Sequence, residues 1–177
     1  IKKFFKNCLI FFFGNKLRIM KMRKGLFKGI FLEINIKNQL ALIFGSPEVH
    51  LQEVLKKHIK ADDVVFDIGA NIGYVSIAMS KLVGRKGKVY SFEAIPETAQ
   101  KCMRNLNLNS CNNVFLTNKA VSHKAEKVIF RIPEGGENHP MASMVWHKKM
   151  ENIKNIEVET IVIDSDLRFN SLSPSFL

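Results

Sequence analysis

The chain has 177 residues, 46% of them hydrophobic, with 10 Gly and 5 Pro. That suits one folded core and excludes a fibrous or disordered polymer. Its formal charge of +11 is uneven: residues 1–60 hold 13 Lys/Arg against 3 Asp/Glu (+10), and residues 61–177 hold 14 against 13 (+1). Three separated cysteines, no CxxC pair and no closely spaced histidines exclude a disulfide framework or a metal site, and fit a reducing compartment.

Residues 4–13 are apolar except for Lys6, Asn7 and Cys8, well short of the roughly 20 residues a transmembrane helix needs. A basic run follows over residues 16–28. Together they read as a basic N-terminal segment, residues 1–44, lying outside the core and able to meet an anionic membrane surface through residues 1–28. A solvated basic face and a core-packing leader are the plainer readings. Mixed β-branched and aromatic residues over 30–44 predict two short strands around Lys37 and Asn38. Ser46 and Pro47 then suit a helix start, and the stripe Val49, Val54, Leu55, Ile59 predicts a helix over 47–59.

The continuous apolar run Val64, Val65, Phe66 ending in Asp67 reads as a buried parallel strand. A glycine-containing turn leads into a helix over 74–82. A strand over 88–93, a helix opened by Pro96, and a strand over 114–117 follow. This β-α-β-α-β order is the signature of a doubly wound α/β sheet. Residues 127–132 read as another strand, and residues 156–163 as a sheet-edge strand, because Ile156, Val158, Thr160 and Val162 alternate with Glu157, Glu159, Ile161 and Ile163. The Ser-rich residues 165–177 read as an irregular, frayed tail.

The turn Asp67-Ile-Gly69-Ala70-Asn71-Ile-Gly73 carries the chemistry. Asp67 stands at the carboxyl end of its strand, where α/β sheets bind ligands. Glycines at 69 and 73 allow close backbone approach. Twenty residues on, Glu93 ends the next strand and suits the two hydroxyls of a ribose. The spacing is neither GxGxxG nor GxxxxGK[ST], which disfavours a nicotinamide enzyme and a nucleoside triphosphatase and suits a cofactor without phosphates.

With these residues in place, Asp67-Ile-Gly-Ala-Asn-Ile-Gly-Tyr74, Val89-Tyr-Ser-Phe-Glu-Ala-Ile-Pro-Glu97, Arg104-Asn-Leu-Asn-Leu-Asn109 and Lys119-Ala-Val-Ser122 resemble the FkbM family of methyltransferases over roughly residues 45–164. The resemblance implies a Rossmann-like class I methyltransferase fold with S-adenosyl-L-methionine as cofactor. Residues 45–164 would be its binding domain, with Asp67, Gly69, Ala70, Asn71 and Gly73 as the cofactor loop. Glu93 and Ala94 would lie at the ribose, Asn118 and Ala120 near the adenine, and Glu48 near the methionine end. It further implies O-methylation of a small-molecule, sugar or lipid acceptor by a cytoplasmic enzyme, at the membrane periphery if the basic segment adsorbs. Past Asp164 the resemblance is expected to stop, leaving a C-terminally incomplete fold. A cofactor-binding pseudoenzyme and a nucleic-acid methyltransferase are the alternatives. No catalytic base is assigned: His50, His123, His139 and His147 qualify by residue type only, and Asp164 as a strand-end acid.

Overall fold

The computed structural model describes residues 17–35, 49–133, 153–166, 168–169 and 171–177. Strands β1 (Leu17–Lys21) and β2 (Phe31–Asn35) form an antiparallel ribbon joined through a 3₁₀ turn at Gly25–Phe27. Helix α1 (Val49–His58) leads to β3 (Val64–Ile68), α2 (Tyr74–Val83), β4 (Lys88–Phe92), α3 (Pro96–Leu108) and β5 (Val114–Thr117). Strands β3, β4 and β5 lie side by side, all parallel, with Asp67 opposite Ser91. This is the Rossmann-like α/β arrangement that the strand–helix alternation implies. A second sheet holds β6 (Ala120–Val121), β8 (Ile153–Ile161) and β7 (Lys127–Pro133), in that order.

Period-2 alternation assigns the faces of the parallel sheet. Val65 and Val89 are fully buried with Leu55, Ile59, Met79 and Val83 on the side of α1 and α2. Phe66 and Phe92 point the other way, into a cluster with Ile161 and Phe169. Asp67 and Ser91 share the phase of Val65 and Val89, and so face α2.

The N-terminal ribbon departs from the expectation of a segment outside the core. Met22, Phe27, Ile30, Leu32 and Ile34 are buried in one cluster with Ala70, Ile72, Ile77, Ala78, Cys102 and Leu106. The Phe27 ring meets the Tyr74 ring edge-on at 5.3 Å. Charge hid this packing: Arg18, Lys21, Arg23, Lys24 and Lys28 are exposed, as is Ile19, while Met22 and Phe27 among them are buried. Among the described residues β2 pairs with β1, upstream; the turn expected at Lys37 and Asn38 lies outside them. Residues 36–48, and with them Glu48, lie outside the described residues, as does the apolar run 4–13.

The Asn-rich end of α3 explains how β2 finishes its hydrogen bonding. Along its second edge, two side-chain amides one helical turn apart take up its backbone groups. Phe31 N donates to Asn109 Oδ1 at 2.9 Å, and Asn109 Nδ2 donates back to Phe31 O at 2.6 Å. Glu33 N donates to Asn105 Oδ1 at 2.6 Å. Asn105, fully buried, also donates from Nδ2 to Ile72 O at 2.8 Å. One amide thus ties the ribbon to the turn after β3.

Two C-terminal expectations are corrected. Strand β8 is not at an edge: it pairs parallel with β6 and antiparallel with β7. Alternation records which side chains are buried, not how many strands flank them. Its exposed Glu157 and Glu159 meet Lys127 and Lys119 at 2.7 and 2.8 Å. The tail is not frayed either. Phe169, 4% exposed, packs edge-on against Phe66, Tyr90 and Phe92. Ser175 N donates to Val64 O and Phe66 N donates to Phe176 O, so the tail runs parallel along the outer edge of β3.

Candidate functional site

The site forms where β3 and β4 end. After Ile68 the chain turns through Gly69 at φ +86°, a left-handed conformation that favours glycine. Gly69 N and Ala70 N both donate to Phe92 O at 2.9 Å, which pins the turn across the end of β4. A Cβ at Gly69 would meet nothing within 4 Å, so the space in front of this glycine is open. Gly73, at φ +87°, is different: a Cβ there would come within 2.7 Å of Cys102 Sγ. Its missing side chain lets α2 begin against α3.

Asn71 also takes a left-handed conformation, at φ +51°, which Asn tolerates better than most residues. Its N–H donates to Glu93 Oε2 at 2.9 Å, while Ile95 N donates to Oε1 at 2.9 Å. The Glu93 carboxylate is therefore fixed by one backbone donor on each oxygen. Each oxygen keeps acceptor capacity for a further donor. Burial pushes the Glu93 pKa up, and these backbone donors pull against that rise. Asn71 Oδ1 is buried and has no hydrogen-bond partner among the described residues.

Asp67 lies beneath the turn, 8% exposed. Ser76 Oγ, on α2, donates to its Oδ2 at 2.5 Å. Burial raises the Asp67 pKa from 3.8 to about 6, the Ser76 hydroxyl opposes the rise, and the charge of Glu93 adds to it. Two acids with elevated pKa at adjoining strand ends form a negative, partly desolvated locus suited to a polar ligand with cationic character. Cys102, beside Gly73, is pushed up to about 12 by burial and stays a thiol.

Asn118, just past β5, completes the strand-end cluster. Its Nδ2 donates to Glu93 O at 2.7 Å and to Ala94 O at 3.1 Å. The structure thus brings Asp67, Gly69, Ala70, Asn71, Glu93, Ala94 and Asn118 together. Gly73 sits at the helix start, and Ala120 is buried in β6, paired with Thr160. The candidate bases do not converge here. His50 is fully exposed on α1, near Glu53 at 3.9 Å. His123 is exposed between β6 and β7, and Asp164 is exposed beyond β8. His139 and His147 lie outside the described residues. Sequence reasoning missed Ser76, Ser91 and Asn105. Asn105 and Asn109, four apart on one helix face, were the available signal.

Among the described residues no cluster of His, Cys, Asp or Glu suits a metal ion, and no helix is long and apolar enough to cross a membrane.

A protein-L-isoaspartate O-methyltransferase of Fervidobacterium nodosum is 41% identical over 56 residues, 32% of this chain and 28% of that protein. The chain spans about a quarter to a third of the length of the curated relatives it matches, between 24% and 33%. Among solved structures, a SAM-dependent methyltransferase from Aquifex aeolicus is 30% identical with a TM-score of 0.37, over 38% of this chain and 37% of that one. Fibrillarin from Aeropyrum pernix, solved with natively bound S-adenosyl-L-methionine, is 21% identical with a TM-score of 0.33, over 36% of this chain and 26% of that one. The family model of the FkbM methyltransferase domain matches residues 67–177, starting on the strand-end acid and running through the tail where the sequence resemblance had been expected to stop. With more than half of its length matched, the chain belongs to the FkbM family of S-adenosylmethionine-dependent methyltransferases.

Proposed function

We propose that the strand-end cluster binds S-adenosyl-L-methionine and that the protein serves methyl transfer to an oxygen acceptor. The observation that carries this reading is the Glu93 carboxylate, held by Asn71 N and Ile95 N beside the open face of Gly69. The residues present fit the cofactor on three counts. A buried, oriented carboxylate suits a vicinal diol, with charge-assisted bonds. The open side of Gly69 leaves room for close approach. The unpartnered Asn71 Oδ1 offers an acceptor whose burial is costly until a donor arrives.

In this reading Glu93 accepts from the ribose hydroxyls and Asp67, when ionised, attracts the cationic amino-acid end. Gly69, Ala70 and Asn71 form the floor, with Gly73 starting the helix behind it. Ala94 stands with Glu93 at the ribose, and Asn118 and Ala120 line the adenine side. The bound cofactor supplies a methyl group on a sulfonium for in-line transfer. The chain contributes orientation, which by itself accounts for much of such a barrier.

Small-molecule, sugar or lipid hydroxyls are the acceptors implied by family resemblance. The relatives named as protein-L-isoaspartate O-methyltransferases point instead to a protein carboxylate. Exposed Arg18, Lys21, Arg23, Lys24 and Lys28 favour a partner surface that is anionic. An acidic membrane is the first reading and nucleic acid the second.

Calorimetry with S-adenosylhomocysteine tests the cofactor assignment. Micromolar 1:1 binding, about −8 kcal/mol, is expected, with a loss of about 1.5–3 kcal/mol in Glu93→Ala. No heat from folded protein, or unchanged affinity in Glu93→Ala, refutes it. Methyl release over hydroxyl and isoaspartyl-peptide acceptors separates the acceptor classes, and binding without turnover on any acceptor supports the pseudoenzyme alternative.

A further inference from the structure

Behind Asp67 lies a directed chain of hydroxyls that the cofactor reading does not use. Ser91 Oγ donates to Ser76 Oγ at 3.0 Å, and Ser76 Oγ donates to Asp67 Oδ2 at 2.5 Å. The three residues come from three elements, β4, α2 and β3. Both serines are fully buried. Ser91 is the register partner of Asp67 across the parallel pair, so the two side chains emerge on the same face of the sheet. Ser76 descends onto them from the first turn of α2.

A buried hydroxyl is costly in an otherwise apolar layer unless it is hydrogen-bonded. Alanine would fill either position without that cost. Here two hydroxyls are spent on one carboxylate, and both donate toward it. Hydrogen bonds in series polarise one another, so the outer serine strengthens the inner bond.

We propose that Ser76, backed by Ser91, is a positioning residue that fixes the Asp67 carboxylate in its ligand-facing orientation and keeps it ionised near neutral pH. This rests on the reading of Asp67 as part of the cofactor site. The charged and titratable groups that reach Asp67 are Glu93, whose charge opposes ionisation, and Cys102 on α3, held as a neutral thiol. Among the described residues no cation is one of the groups that act on Asp67. Burial and Glu93 both favour its protonated form, and the Ser76 hydroxyl opposes them. The donors to Glu93 are backbone N–H groups that no side-chain substitution removes, whereas Asp67 depends on a side chain.

The test follows the Asp67 carboxyl by ¹³C NMR across pH in the ligand-free full chain. In parallel, calorimetry follows S-adenosylhomocysteine binding across the same range. Ser76→Ala is expected to raise the Asp67 midpoint by about one pH unit and to move the acid limb of the binding profile upward by the same amount. Ser91→Ala is expected to give a smaller shift in the same direction. An Asp67 midpoint unmoved in Ser76→Ala overturns the proposal. Should that variant fail to fold, an unmoved midpoint in Ser91→Ala does so. If the wild type binds no S-adenosylhomocysteine, the cofactor reading falls, and the NMR titration still decides whether the hydroxyl chain sets the ionisation of Asp67.

Discussion

Replacing Asn105 by Leu tests how the cofactor turn is held. The side chain is nearly isosteric, so the change removes hydrogen bonds and adds little volume. Two bonds go: Glu33 N to Oδ1 at 2.6 Å and Nδ2 to Ile72 O at 2.8 Å. Asn105 is fully buried, so water cannot readily replace the lost partners. A buried backbone group left unsatisfied costs about 1–3 kcal/mol, which gives about 2–6 kcal/mol for the pair, less what the added apolar contact returns. For a chain of this length 1 kcal/mol moves Tm by about 2–4 °C, so a drop of roughly 5–15 °C is expected. Thermal unfolding followed by circular dichroism measures it. Hydrogen exchange should show faster exchange both in β2 and at residues 71–73, because one amide serves both. Asn109→Leu, whose bonds to Phe31 are exposed, is expected to cost about 1 kcal/mol and to leave residues 71–73 protected. A Tm within 1–2 °C of wild type for Asn105→Leu, or exchange raised in β2 alone, would refute the reasoning.

The remaining predictions concern the same region. Burial lifts Asp67 from 3.8 to about 6, so the folded chain holds that proton more tightly than the unfolded chain. The associated stability is full below about pH 4 and is lost as pH rises through about 6, a difference of about 3 kcal/mol at pH 7. Asp67→Asn should therefore stabilise the ligand-free protein at pH 7 by about 1–3 kcal/mol in urea titrations while abolishing S-adenosylhomocysteine binding; a variant less stable than wild type at pH 7 would contradict this. Gly73→Ala should destabilise by about 2–3 kcal/mol, from its left-handed φ and the 2.7 Å approach to Cys102 Sγ. A smaller residue at 102, in the double variant with Cys102→Ala, should recover part of the loss. Gly69→Ala carries the backbone strain alone, about 1 kcal/mol, and should show its larger effect in ligand affinity. Equal stability losses at the two glycines would show that the Cys102 contact does not matter. Phe27→Ala should cost about 3–5 kcal/mol, measured by urea unfolding, because Phe27 is 5% exposed within the cluster that also holds Ala70 and Ile72; a loss under 1 kcal/mol would return the ribbon to a peripheral role.

Much of the central region is legible from residue order. The apolar run Val64, Val65, Phe66 matches β3 closely, because a buried parallel strand leaves an unbroken apolar stretch, and the expected strand at 114–117 matches β5, although its Phe115 is exposed. Pro96 marks the first residue of α3, since its fixed φ suits a helix start and no intrahelical donor is lost. The turn residues Gly69 and Asn71 carry the left-handed conformations that their types permit. In each case a short segment with few conformational options states its own answer.

Residue order alone makes the local features legible: the α/β alternation, the strand-end acids Asp67 and Glu93, and the glycine turn between them. Which distant groups meet was set by packing between segments. The ribbon of residues 17–35 hides behind a charge excess that belongs to its exposed positions alone. Phe169 and Phe176 sit in a Ser-rich tail with no period, yet one fills the aromatic face of the sheet and the other pairs with its edge. Ser76 and Ser91 look like ordinary polar interruptions until the parallel register sets Ser91 beside Asp67 and α2 lowers Ser76 onto both. Local conformation is set by each residue's own φ, ψ and propensity, whereas these partnerships depend on contacts between segments far apart in the chain, which burial and hydrogen-bond satisfaction select only once the fold has closed.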